Sequence, residues 1–257
     1  MTDPQDFNEL ETQLRLESDC DDLFLGQSWP KPFEFDESVV QVFDDMVSRS
    51  VPLYRDVMVS ATQWCLAYFQ PQTRIVDVGC STGTFLELVG RLLPQSATLV
   101  GLDNSSPMLQ KAKDKLSAVE DRHSIELVNI SAEDYEFQDC SVVVMNYTLQ
   151  FLPLKKRRSL IQHIYQGLNS GGLLYLSEKV ISPWPQFQET MTQNYERFKA
   201  RNGYAKREIE RKKEAVENVL VPLAENQLKQ MFQDAGFEKV DSLMKQHNFM
   251  TFVALKS

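Results

Sequence analysis

Residues 74–83 read Arg74-Ile75-Val76-Asp77-Val78-Gly79-Cys80-Ser81-Thr82-Gly83, a short β-branched run that leads straight into a turn with glycine at both ends. Such a run favours a strand, and Gly79 and Gly83 let the backbone turn sharply and come close to a ligand. The apolar spacing from Phe85 to Leu93 predicts a helix behind the turn, with its first N–H groups free to face an anion or a polar ligand. Outward from this unit the same alternation repeats. Strands are predicted over Thr98–Asp103, Ile125–Asn129, Cys140–Asn146 and Leu173–Ser177, with helices over Pro107–Leu116 and Leu154–Leu168, the latter stopped by Asn169-Ser170-Gly171-Gly172. A long polar helix is expected over Gln186–Glu214, a helix over Asn226–Ala235 stopped by Gly236, and a last apolar strand over Phe249–Leu255. Strands alternating with helices imply right-handed βαβ units, and so an α/β fold with a doubly wound, mostly parallel sheet.

Two helices precede Pro71, one over Phe35–Ser50 with Asp36 as N-cap and one over Tyr54–Phe69. Together with a helical insertion at about 186–220 they fall outside the alternation. They are expected to cover the carboxyl edge of the sheet, where ligands of such sheets bind.

A length of 257 residues with 42% hydrophobic and 25% charged side chains suits one core of ordinary size and excludes disordered, collagenous and coiled-coil chains. No stretch approaches the roughly 20 apolar residues of a membrane span. The start, Met1 to Gln13, has neither a basic nor an apolar segment, so no signal peptide is expected. Cys20, Cys65, Cys80 and Cys140 are scattered without a CxxC pair and read as reduced thiols of a cytoplasmic protein. The net charge of −9 argues against broad contact with nucleic acid or anionic membrane. Charge is unevenly placed, however. Residues 1–28 hold eight acids and only Arg15 as base, and read as an acidic, loosely attached arm before a single domain over 29–257. Arg197 to Lys213 holds eight bases and two acids, which fits either a solvated helix face or a surface waiting for an anion such as RNA. Few stacking aromatics interrupt it beyond Phe198 and Tyr204, which favours the solvated face, with an internal ligand for one or two of its residues, and predicts no direct tRNA contact.

The glycine turn is weak evidence alone, since dinucleotide sites share it. Neither the G-x-G-x-x-G nor the G-x-x-x-x-G-K-[ST] phosphate pattern is present, and Asp103 follows Asp77 by 26 residues at the end of the next strand. A carboxylate there can accept both hydroxyls of a ribose, or it can merely cap the helix after Asn104-Ser105. With these features the chain resembles class I S-adenosylmethionine-dependent methyltransferases. The segments Phe35-Asp36-Glu37, Gly79-Cys80-Ser81, Asp103-Asn104-Ser105, Asn146 to Phe151, Ser177-Glu178-Lys179, Asn202-Gly203-Tyr204, Glu217-Asn218-Val219 and Asn248-Phe249 narrow the match. Over about residues 29–256 they are similar to the carboxy-S-adenosyl-L-methionine synthase family.

The resemblance implies conversion of S-adenosylmethionine and prephenate to carboxy-S-adenosylmethionine and phenylpyruvate. In that reaction CO₂ released from prephenate is captured at the sulfonium methyl through an ylide, and the product serves formation of 5-oxyacetyl uridine at the tRNA wobble position. It implies a homodimer, and cofactor contacts from Tyr54, Gly79, Cys80, Ser81, Asp103, Asn104, Ser131, Ala132 and Asn146. Asp77, at the end of the first strand, either orients the loop by hydrogen bonds or, as in ordinary methyltransferases, stands near the amino-acid end of the cofactor. Two positions depart from the family pattern. Ser131-Ala132 stands where the family has an acid followed by Ile, and Lys213 stands where the family has the arginine that grips the transferred carboxylate. A lysine is a point charge without the two-pronged fork of arginine. An ordinary methyltransferase acting on a small molecule or RNA, and a protein that only sequesters the cofactor, are the alternatives.

Other chemistry has little support. His123, His163 and His247 lack metal-ligand spacing, so no metal is expected. Asp44-Asp45 reads as an outward-facing pair on a helix, and Cys80 has no identifiable base.

Overall fold

Two helices, α1 (Glu37–Ser50) and α2 (Tyr54–Tyr68), precede the first strand, β1 (Arg74–Val78), in the computed structural model, which describes residues 20–25 and 33–257. Strands and helices then alternate through α3 (Thr84–Leu92), β2 (Thr98–Asp103), α4 (Ser106–Leu116), β3 (Ser124–Asn129), β4 (Cys140–Asn146), α5 (Leu154–Gly167) and β5 (Leu168–Ile181). The chain continues through α6 (Pro185–Arg201), α7 (Lys206–Ala215), β6 (Leu223–Ala224), α8 (Glu225–Ala235), β7 (Lys239–Gln246) and β8 (Phe249–Leu255). The sheet runs in the order β3-β2-β1-β4-β5-β8-β7, with β6 pairing β5 off this path. Pairs from β3 to β5 are parallel, while β8 runs antiparallel to β5 and β7. The strand order reverses at β1, whose neighbours are β2 on one side and β4 on the other. That reversal opens a crevice at the carboxyl ends of β1 and β4, where ligands of such sheets bind.

The strands are apolar on both faces because both faces are covered. Ile75, Val142, Val144 and Tyr175 pack with Val57, Met58, Phe85 and Val89 of α2 and α3. Val76, Val78, Val143 and Met145 pack on the opposite side with Ile161, Ile164, Met231 and Phe232 of α5 and α8. A third cluster joins α1 to α4 and α7 through Val39, Phe43, Met46, Met108 and Ala215, and takes in Phe24 from the N-terminal segment.

Three elements differ from the expected ones. The helix expected over Gln186–Glu214 breaks between α6 and α7, where Gly203 takes φ +92°. Arg49 Nε donates to Asn202 O at 2.8 Å and Asn202 Nδ2 to Arg49 O at 3.0 Å, so the turn is clamped to α1. β5 begins at Leu168, before the glycines taken as a helix stop. Gly171 N donates to Lys256 O and Lys256 N to Gly172 O, so contact with the end of the chain holds this stretch extended. β7 was not expected, because a strand at the sheet edge with one neighbour carries polar residues on its open side.

Most of the acidic arm, residues 1–19 and 26–28, lies outside the described residues. Residues 20–25 are not loosely attached. Asp21 and Phe24 are each only 2% exposed, and Lys212 Nζ lies 2.5 Å from the Asp21 carboxylate, which also accepts from the Tyr204 hydroxyl.

Candidate active site

The turn after β1 rises from the sheet because Gly79 N and Cys80 N both donate to Leu102 O of β2, at 2.7 and 3.0 Å. Gly79 (φ +74°) is required there, since a Cβ would stand 2.2 Å from Thr148 Oγ1. Ser81 holds φ +49°, a conformation that costs a non-glycine residue about 1–2 kcal/mol. Its N–H donates to Asp103 Oδ2 at 3.0 Å, while Asp103 Oδ1 accepts from Ser105 N at 2.9 Å. Asp103 therefore ties the turn to the start of α4, and Ser105 rather than Asp103 caps that helix. A carboxylate offers about four acceptor sites, so room for a ligand donor remains beside the N–H groups of Ser105, Ser81 and Asn104.

From behind, α1 braces the turn. Asp44 is 1% exposed, accepts from Thr82 Oγ1 at 2.7 Å and pairs with Lys115 Nζ at 3.1 Å. The expectation of an outward Asp44-Asp45 pair is corrected at Asp44, whereas Asp45 binds Arg49 on the half-open side. Helical periodicity identifies the apolar face of α1, but not that a carboxylate on its border meets a lysine from α4.

Tyr54, Gly79, Cys80, Ser81, Asp103, Asn104, Ser131, Ala132, Asn146 and Lys213 all border one cavity of about 1390 Å³ over the carboxyl edge of the sheet. Asp77 also borders it. Burial and the neighbouring Asp103 charge push the Asp77 carboxyl up to about 8. Burial likewise raises Asp103, against the N–H groups of Ser105, Ser81 and Asn104 that lower it. The Tyr54 phenol and the Cys80 thiol are raised by burial and then by nearby carboxylates, so neither ionises readily. Asn146, ending β4, has both amide atoms buried without a partner. Such a group costs about 1–3 kcal/mol unless a ligand meets it. Lys213 stands at the rim, its side chain 68% exposed and 3.5 Å from Glu196.

Sequence reasoning missed a second group on this cavity: Lys179 from β5, Tyr195 and Lys199 from α6, and Asn248 before β8. Lys199 sits in the basic run taken as solvated, yet it and Lys212 are 6% and 9% exposed. The signal available was the Tyr195–Lys199 spacing, which places both on one helix face. Charge is graded across the carboxyl edge of the sheet: Asp103 on β2 and Asp77 on β1 are carboxylates, Asn146 on β4 is an amide and Lys179 on β5 an ammonium. Two strand spacings, about 10 Å, separate β1 from β5, and Lys179 lies farther along β5 than Tyr175, which stands level with Asp77 through Val144. Such an edge suits a cationic ligand beside an anionic one. Among the described residues no group of His, Cys, Asp and Glu is placed to hold a metal ion.

A family model described as a methyltransferase domain matches residues 75–172. Among solved structures, an O-methyltransferase family protein from Burkholderia thailandensis superposes with a TM-score of 0.61 at 18% identity, covering 98% of this chain and 70% of that one. Magnesium protoporphyrin IX methyltransferase from Synechocystis, solved with bound SAH, superposes with a TM-score of 0.57 at 14% identity, covering 91% and 92%. These identities establish the fold alone. A carboxy-S-adenosyl-L-methionine synthase from Trichodesmium erythraeum is 61% identical over all 257 residues and the whole of that protein. The chain belongs to the carboxy-S-adenosyl-L-methionine synthase family. A synthase from Desulforapulum autotrophicum is 41% identical over 92% of this chain and 96% of its own, and one from Campylobacter curvus 43% identical over 88% and 95%. The likeness to the synthases thus extends well beyond residues 75–172, into α1, α6 and α7, which roof the cavity.

Proposed function

We propose that the protein converts S-adenosylmethionine and prephenate to carboxy-S-adenosylmethionine and phenylpyruvate, as a cytoplasmic homodimer whose product serves modification of the tRNA wobble uridine. The full-length 61% identity to a curated synthase carries this reading. The cavity supports it. We assign Asp103 to the ribose hydroxyls, and its position on the cavity beside the glycine turn supports that role. The unpartnered amide of Asn146 and the carboxyl of Asp77 suit the polar, cationic amino-acid end. Tyr54 and Asn104 border the same space, and Ser131-Ala132 borders it where the family has its adenine-side acid.

S-adenosylmethionine supplies the sulfonium methyl, which gives up one proton, leaving as water with the prephenate hydroxyl, and bonds the carbon of the CO₂ released from prephenate. The residues of this chain have three tasks. The carboxylates of β1 and β2 hold the cation, the roof of α1 and α6 excludes water that would protonate the reacting carbon, and lysines hold the carboxylates. Lys213 is the residue we assign to the transferred carboxylate. As an exposed ion pair with Glu196 it contributes little until the site is shielded from water.

The test is incubation with both substrates and mass analysis of the sulfonium product. A product heavier than S-adenosylmethionine by one CO₂, with stoichiometric phenylpyruvate, is expected. S-adenosylhomocysteine together with a methylated acceptor would establish ordinary methyl transfer instead.

A further inference from the structure

Lys199 is 6% exposed and borders the cavity, yet among the described residues its ammonium has neither an ion pair nor a hydrogen bond. Its Nζ lies over the Tyr195 ring, 4.5 Å from the centroid. Lys179 Nζ is 5.1 Å from the same centroid and likewise has no carboxylate partner. Among the described residues Glu196 is the acid whose charge favours the Lys199 ammonium, and it is shared. Glu196 is engaged by Lys213, and Lys212 is engaged by Asp21. A buried charge without a counter-ion is costly, and a fold retains it only where something else is gained. One buried and one half-buried ammonium on the same cavity wall call for a ligand with negative charge.

We infer that Lys199 and Lys179, gathered around the Tyr195 ring, form a carboxylate subsite that holds the anionic co-substrate, distinct from Lys213 at the rim. The inference deepens the proposed function and takes from it the identity of the anion. Burial, with Lys179 and Lys212 adding to it, pulls the Lys199 ammonium down to about 8, so it is still charged at neutral pH and gains further proton affinity when a carboxylate arrives. Tyr195 also meets Phe249, with ring centroids 5.1 Å apart, which fixes the platform that both ammonium groups share. On β5 Lys179 lies two residues beyond Ser177, the partner of Asn146, so the subsite lies just past the end of β4 and on the same cavity.

The subsite makes a prediction opposite to that for a structural lysine. Removing an unpaired buried charge leaves the free protein as stable as before or more so, while ligand binding suffers. The experiment is calorimetric titration of prephenate into protein saturated with S-adenosylhomocysteine, which has no methyl to transfer and so permits no turnover. Lys199→Met and Lys179→Met are each expected to weaken prephenate at least tenfold. Lys199→Arg should remain within about threefold of wild type, as a charge-retaining change does. Affinity for S-adenosylhomocysteine should stay within twofold, and the melting temperature of Lys199→Met should equal or exceed that of wild type. Unchanged prephenate affinity in Lys199→Met, or equal weakening of both ligands, overturns the subsite. A melting temperature well below wild type overturns it too, since the lysine would then be structural. Product analysis of the wild type keeps the two readings apart. Carboxylated product with no loss on Lys199→Met refutes the subsite alone. Lysine-dependent prephenate binding without carboxylated product supports the subsite and refutes the reaction.

Discussion

Asp77 and Asp103 stand at the carboxyl ends of adjacent strands on one cavity, and the Asp103 charge bears on the Asp77 carboxyl. Burial, and next the Asp103 charge, raise the Asp77 carboxyl from about 4 in the unfolded chain to about 8. Between those values the folded, ligand-free protein holds a proton that the unfolded chain has released. Its stability should therefore fall as pH rises from about 4 to about 8, by up to about 1.4 kcal/mol per unit for one group. Glu178, pushed to about 8 mainly by burial, adds in the same direction. Asp77→Asn should remove one proton's share of that slope, measured by denaturant unfolding across the range. A bound cation favours the ionised carboxylate, so S-adenosylmethionine affinity should rise between pH 5.5 and 7.5, below the titration of its own α-amino group. A flat profile for the wild type would remove Asp77 from the cation site. Asp103→Ala should weaken S-adenosylmethionine at least tenfold, since it removes acceptors worth about 1.5–3 kcal/mol, and calorimetric titration reads that directly. Both carboxylates were visible in the sequence because a strand end fixes their position locally. Lys199 was not, since its depth depends on how α6 is rotated against β5 and β8.

Beside the apolar cluster of α1, α4 and α7, a few polar clamps hold the roof elements. Arg49 of α1 binds the turn between α6 and α7, and Lys212 of α7 binds Asp21 and Tyr204. The Asp21 side chain is fully buried and that of Lys212 is 11% exposed. Truncating one member of such a pair leaves the other charge unpaired and costs about 3–5 kcal/mol. Asp21→Ala should therefore lower stability by about that amount, and Asp21→Ala combined with Lys212→Met should recover part of it. Chemical denaturation of the two single variants and the double variant checks this, and additive losses would show that the pair is uncoupled. The break between α6 and α7 was hidden in the sequence for the same reason. Asn202-Gly203 tolerates a helix or a turn, and α1 selects the turn.

At the scale of the molecule, the described surface exposes Trp184 and Phe187, each 63% exposed, at the start of α6. Adjacent exposed aromatics are a natural patch for a second copy, and the proposed homodimer should appear as a dimeric mass by light scattering at micromolar concentration. Trp184→Glu with Phe187→Glu should shift it toward monomer, and a monomeric wild type would refute the dimer.

The sequence alone determined the α/β alternation, the glycine turn and the carboxylate at the next strand end, because these depend on periodicity and on backbone rules that act within a few residues. It carried the family likeness as well. The tertiary structure decided which charges are buried: Asp44 beneath the turn, Asp21 against Lys212, and Lys199 with Lys179 around Tyr195. The physical reason is that burial depends on which distant elements meet. The energy of a charge varies far more with its surroundings than with its neighbours in the chain.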